Sequence, residues 1–230
     1  MSILDRFFRK KDPFKDVPAF KQIMVNVKME EKAFLERIEK ILPVISCKKS
    51  QSEDVGTADD QARQVSEGSQ PISYPVNFDE DLSIYLEIVD GSQCEMLLNK
   101  QIIIAKDKVS PDQLVGKAFA NLFKQIEDKI SISMQSEDIG ILSGCNNHES
   151  SLVLVNEVWK LIKDKIQSDE IVFGIPAKDV LIFTAADREE AVGQLNQKVK
   201  EIFNDETHPE KISSKLYILQ KDGSTKIFTV

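Results

Sequence analysis

A chain of 230 residues with 41% hydrophobic and 30% charged content is long and apolar enough to bury a core, which excludes a disordered or fibrous protein. Its formal net charge of −8 argues against broad nucleic-acid binding, where a basic face supplies most of the affinity. No apolar run nears the roughly 18 residues that span a bilayer, and the amino terminus lacks the apolar core and cleavage site of a secretory leader.

Residues 1–11, MSILDRFFRKK, place Ile3, Leu4, Phe7 and Phe8 at helical spacing among Arg6, Arg9, Lys10 and Lys11. Such a basic amphipathic arm touches an anionic membrane surface or a partner groove, or, more commonly, folds back on its own domain. Asp12-Pro13 ends it. Phe20, Ile23, Val27, Phe34, Ile38, Ile41 and Leu42 then recur with helical period, predicting a helix from Phe20 to Leu42 closed by Pro43. Met24-Val25-Asn26-Val27 is β-rich enough to leave a strand open there. From Cys47 to Gln70 the chain is polar and carries Gly56 and Gly68, the composition of a linker or long exposed loop. The domain organisation is thus an arm and helix over 1–46, a linker over 47–72 and an α+β domain over 73–230, with 73–145 and 146–230 as possible subunits.

Leu82–Val89 (LSIYLEIV) alternates apolar and polar residues, Asp90-Gly91 signals a hairpin, and Cys94–Leu98 returns. Ser110-Pro111-Asp112 opens a helix that carries Leu114, Ala118 and Leu122 on one face. Ile130–Met134 and Ile139–Leu142 are short strands, Gly144–His148 (GCNNH) is a turn, and Glu149–Ile166 is a helix with Trp159 on its apolar stripe. In IVFGIPAKDVLIFT, the runs Ile171–Ile175 and Val180–Thr184 are buried strands around a short corner. Asp187 and Glu190 have capping-box spacing before the helical stripe Val192, Leu195, Val199 and Ile202. Asp222-Gly223 suits a type I′ hairpin turn at the end of the chain. The order from Leu82 is β-β-α-β-β-α-β-β-α-β-β. Antiparallel β-hairpins alternating with helices, with the helices on one face, predict an α+β fold, and a β-β-α-β-β pattern occurs at Leu82–Leu142 and again at Ile171–Val230.

Three pieces resemble the YtpQ-like family of uncharacterised bacterial proteins, a domain of unknown function. They are Asn146–Ile182, with NNHESSLVLVNEVWKLI before a strand and GIPAKDVLI; Tyr85–Leu122, ending FANLF; and Leu42-Pro43-Val44-Ile45. The resemblance implies a bacterial cytoplasmic α+β protein and brings no activity with it. The stretch before Glu30 departs from the family.

Among chemistry-bearing residues, Asp179 stands first, at a corner beside Pro176 and Lys178 where rigid strands would hold a polar binding surface. The commoner use of such an aspartate is to accept from N–H groups of its own turn. Asn146, Asn147, His148 and Glu149 offer an acid–base pair, yet they also make a good turn and helix start, and no nucleophile motif accompanies them. Cys47, Cys94 and Cys145 are widely spaced without a C-x-x-C, and His148 and His208 lack metal-ligand spacing apart from Glu149 beside His148. No disulfide framework, metal or cofactor is expected, and the simplest setting is a reducing cytosol. Neither phosphate-binding glycine motif occurs. The function expected is non-enzymatic protein binding through an unidentified protein partner. The alternatives are a hydrolase or transferase whose site, with His148, Asp179 and a further carboxylate, assembles only in three dimensions, and a peripheral membrane protein using Ile3, Leu4, Phe7 and Phe8.

Overall fold

The computed structural model describes residues 29–48, 71–91, 93–105, 108–126, 129–208 and 210–230. The arm with Ile3, Leu4, Phe7 and Phe8, the Phe20–Val27 stretch and the polar segment from residue 49 to 70 lie outside the described residues. In chain order come α1 (29–37), a 3-10 turn (Ile38–Lys40), β1 (Ile41–Cys47), β2 (Ser73–Pro75), β3 (Leu82–Asp90) and β4 (Gln93–Met96). Helices α2 (Asn99–Ala105) and α3 (Pro111–Ile126) follow, then β5 (Ser131–Met134) and β6 (Gly140–Ser143). A 3-10 segment (Glu149–Leu154) leads into α4 (Asn156–Ile166), β7 (Ile171–Gly174), β8 (Leu181–Ala185), α5 (Glu189–Asn204), β9 (Leu216–Leu219) and β10 (Thr225–Phe228). Helices combined with antiparallel hairpins make this an α+β protein, as the order of sequence signals predicts. Among the described residues no helix is long and apolar enough to cross a membrane.

The described chain falls into two compact units. One holds residues 29–42, 71–72 and Leu86–Asn121; the other holds 43–48, Ser73–Tyr85 and Leu122–Val230. In the first, β3 pairs with β4 through Val89 opposite Cys94 and Asp90 opposite Gln93, so Asp90 belongs to the strand and not to the turn expected at Asp90-Gly91. Gly91 there has φ +65°, a conformation that glycine adopts without strain. Arg37 to Glu95 (2.5 Å) and Lys40 to Asp90 (2.7 Å) tie the end of α1 and the following turn to this hairpin. Ser110 and Gln113 form a reciprocal capping box: the Ser110 N–H donates to Gln113 Oε1 (2.8 Å) and the Gln113 N–H to Ser110 Oγ (3.2 Å). The helix expected to reach Leu42 stops earlier, because Ile41–Ile45 enters β1 with every side chain buried. A surface helix must show a polar face, and this run has none.

The second unit is built on a six-stranded sheet of order β10-β9-β7-β8-β6-β5. Val172, Ile182, Leu216 and Ile218 share one face with the α5 residues Val192, Leu195 and Val199. Gly174 lies on the same face, where a Cβ would meet Val199. The opposite face carries Phe173, which packs at a tilt against Trp159 of α4 (4.7 Å between ring centroids) and edge-on against Phe78 (6.4 Å). Helices therefore cover both faces of the sheet rather than one. This explains why β7 and β8 read as unbroken apolar runs: neither face meets water.

The second β-β-α-β-β pattern, β7 to β10 around α5, lies within one sheet, whereas the strands of the first are divided. Strands β5 and β6 join the large sheet, and β3 and β4 belong to the four-stranded sheet of order β1-β3-β2 with β4 also on β3. The helix expected from Glu149 begins as a 3-10 segment broken by extended Val155. There the Trp159 indole N–H captures the Val153 carbonyl at 2.9 Å, and Ser150, Ser151, Val153 and Val155 are weak helix formers. The α5 start also differs from expectation. Arg188 is the N-cap without a side-chain cap bond, and its guanidinium instead bonds Asp138 (2.5 Å) and the Ile166 carbonyl (3.1 Å). At Asp222-Gly223, Gly223 alone has positive φ (+84°), and the Gly223 and Gln220 N–H groups bond Gln220 O and Ser224 O. That is a three-residue hairpin loop closed by a left-handed glycine, in place of type I′.

Candidate functional site

The corner between β7 and β8 is held from three sides. The Ser150 N–H donates to Lys178 O (3.0 Å), the Lys178 N–H to Glu210 O (3.0 Å), and the Ile212 N–H to Pro176 O (2.9 Å). Pro176 and Lys178 are buried, and the Lys178 ammonium reaches out to Glu210 at 3.2 Å. Asp179 is exposed, and its Oδ1 lies 3.6 Å from His208 Nδ1. The three residues singled out from sequence thus divide. Two are interior scaffold, and Asp179 meets solvent beside His208 rather than His148.

His148 is itself buried, with Nδ1 donating to Asn146 O at 2.9 Å. The loop before it is bent by Asn146 and Asn147, both left-handed (φ 51° and 65°), which asparagine tolerates better than most residues. This bend returns the Glu149 carboxylate to the backbone, where Oε1 accepts from the N–H groups of Gly144 (3.2 Å) and Cys145 (2.9 Å). Among the described residues, Glu149 Oε2, Ser150 Oγ and Ser151 Oγ are buried without a hydrogen-bond partner. Burial, and after it the Glu149 charge, pushes the Cys145 thiol up to about 12. A thiol raised that far keeps its proton at neutral pH. The loop holds nucleophile-type atoms, but shields or weakens each of them.

A second polar cluster escaped the sequence reading. Asp79 is buried, and its carboxylate accepts from the Tyr217 hydroxyl (2.7 Å), the Lys215 ammonium (3.0 Å) and the Asp81 N–H (3.0 Å). Lys215 also reaches Asp81 at 2.9 Å. Ser213 Oγ lies 2.7 Å from the Tyr217 oxygen, whose proton is committed to Asp79. Burial first, with the Asp79 charge adding to it, raises the Tyr217 pKa. Phe78 packs edge-on against Tyr217 at 5.1 Å. Every polar partner here is satisfied within the cluster, so it clamps the loop before β3 onto β9. Residues Asp79-Glu80-Asp81 were the only signal in the sequence.

One polar surface is open. Strand β5 ends the large sheet, and among the described residues no strand pairs with its outer side. The Gln135 N–H donates to Ile139 O (2.8 Å), toward β6. Backbone groups alternate along a strand, so Ser131 and Ser133 also point inward to β6, and Ile132 and Met134 present their N–H and C=O groups outward. Beside the end of β5 lies a groove of about 250 Å³, lined by Gln135, Ser136, Gln194, Gln197, Lys198 and Glu201. The Lys198 ammonium donates to Gln135 Oε1, and Gln197 Nε2 donates to Glu201 at 2.7 Å. Side-chain amides offer both donors and acceptors, the chemistry that a peptide backbone matches. Sequence reading placed the β5 strand but not its position at the sheet edge.

No family model, curated protein or solved structure matches the chain.

Proposed function

We propose that this chain is a non-enzymatic binding protein of a bacterial cytoplasm that docks an extended protein segment along β5. The carrying observation is the outward row of Ile132 and Met134 backbone groups next to an amide-lined groove. Strand addition to such an edge draws affinity from main-chain hydrogen bonds, with side-chain pockets supplying selectivity. Strand β5 contains no lysine or proline, the residues that ordinarily blunt a sheet edge, whereas β10 at the far edge carries Lys226. Binding is favoured over a hydrolase or transferase by the burial of Ser150 and Ser151 and by the weak Cys145 thiol. The YtpQ-like resemblance rests on the sequence pieces quoted above and belongs to the same proposal.

The test is selection of short displayed peptides against the full chain, followed by amide hydrogen exchange of the bound complex. Binding is expected to protect the Ile132 and Met134 amides and to be lost in Ile132→Pro, which removes an outward N–H without taking a β5–β6 ladder bond. Selected peptides that bind equally well to Ile132→Pro and protect a different surface would sink this reading.

A further inference from the structure

We infer that the groove between α5 and the β5–β6 hairpin loop binds a free α-amino acid with a short aliphatic side chain. This goes beyond the docking of a segment on β5, because it draws on the α5 wall and needs no strand pairing. Gln194, Gln197, Lys198 and Glu201 recur at i, i+3, i+4 and i+7, so they form one stripe along α5. The wall facing that stripe is closed on itself. The Gln135 N–H donates to Ile139 O (2.8 Å), and the Ile139 N–H donates to Ser136 Oγ (3.1 Å). Ile139 is itself buried and supplies the apolar part of the lining. The space is about 250 Å³. Pockets for drug-sized ligands begin near about 300 Å³, so this one suits a smaller metabolite.

The unspent hydrogen-bonding groups set the chemistry of the ligand. Half-buried Lys198 gives one N–H to Gln135 Oε1; its other N–H groups and the Gln135 amide hydrogens have no further partner among the described residues. Gln197 Nε2 donates to Glu201 Oε1 (2.7 Å), which leaves the Gln197 carbonyl and Glu201 Oε2 as acceptors. Gln194 likewise gives its amide to Glu190 (3.4 Å) and keeps its carbonyl. One cation and one anion thus stand three residues apart on the helix, about 4.5 Å along its axis. A molecule with a carboxylate and an ammonium on the same carbon meets both. Its carboxylate goes to Lys198 and the Gln135 amide, and its ammonium to Glu201 and the Gln197 carbonyl. The side chain is left to Ile139, which rewards an aliphatic group. A dicarboxylate would set a like charge against Glu201, and a diamine would do so against Lys198.

Isothermal titration of the full chain with valine tests the site, with valinamide and isovalerate as analogues that lack the carboxylate and the ammonium respectively. Valine is expected to bind, and each analogue to bind about tenfold or more weakly. Lys198→Met should abolish the preference for valine over valinamide, and Glu201→Gln the preference for valine over isovalerate. Damage to the fold would weaken all three ligands alike and leave both preferences in place. Circular dichroism and melting confirm that each variant is folded. The absence of valine binding up to about 10 mM, or preferences that survive in both variants, overturns the inference. Ile132→Pro, which tests the docking edge, is expected to leave valine binding unchanged, so the two proposals fail separately.

Discussion

The Tyr217 hydroxyl donates to Asp79 Oδ2 over 2.7 Å, joining β9 to a loop 138 residues earlier in the chain. Removing that hydroxyl leaves a buried carboxylate oxygen short of one donor. Tyr217→Phe is therefore expected to cost about 1–3 kcal/mol of unfolding free energy, read from urea denaturation. Asp79→Ala is expected to cost more, since it strips partners from both Tyr217 and Lys215. A Tyr217→Phe midpoint equal to wild type would show that the clamp contributes nothing.

The same clamp fixes an alkaline limit. Burial lowers the Lys215 pKa, but hydrogen bonds to Asp81 and Asp79 outweigh it and leave a net rise; the Tyr217 pKa is raised as well, first by burial. Both groups hold their protons more tightly in the folded chain. The stability they confer is complete below their unfolded values of 10.0 and 10.5 and is lost as pH rises through the folded ones. Denaturant midpoints should stay level from neutral pH to about 9 and then fall, with a shallower fall in Tyr217→Phe combined with Lys215→Met. An identical alkaline slope in wild type and double variant would assign the limit to other groups.

Thiol labelling separates the cysteines. Cys94 is exposed, Cys47 half-buried and Cys145 buried with its thiol at about 12. A disulfide reagent should modify Cys94 first and reach Cys145 only when the chain unfolds. Rapid labelling of Cys145 in the native state, located by peptide mapping, would mean that the Gly144–Ser151 loop opens.

Gly174 offers a packing test. A Cβ at this position collides with Val199 Cγ2 on α5, so Gly174→Ala should cost about 1–3 kcal/mol by overpacking. Trimming the neighbour with Val199→Ala should recover part of that loss, giving a favourable coupling in the double-mutant cycle. Strict additivity would show that the helix shifts to make room.

At the start of α5 two substitutions distinguish the observed contacts from a capping box. Arg188→Ala loses bonds to Asp138 and to the Ile166 carbonyl and should cost about 1 kcal/mol. Asp187→Ala should change the melting free energy by less than about 0.5 kcal/mol, as an exposed residue outside such features does. The reverse ranking would restore the capping box.

Local patterns were legible in the sequence where one residue's neighbours decide the outcome. Ser110 opens α3 as its sequence suggests, because its partner Gln113 lies within one turn, and β7 and β8 read as buried because no polar residue interrupts Ile171–Phe173 or Leu181–Phe183. Features that depend on distant partners were not legible. Asp79 finds Tyr217 only through the fold, and Ser131–Met134 carries no mark of lying at a sheet edge, since strand order is set by pairing across the sheet. The Arg188 side chain is likewise placed by the fold, since its partners Asp138 and the Ile166 carbonyl lie far off in sequence.

Strand β7 lies between β8, which follows at once, and β9, which is made only after α5. On the ribosome, then, β7 and β8 can form their hairpin while the β9 side of β7 stays bare. For the time taken to synthesise about thirty more residues, that apolar edge is a template for any passing strand. Slowed elongation between Ala185 and Leu216 should therefore raise aggregation of the nascent chain, and early holding by a chaperone should suppress it.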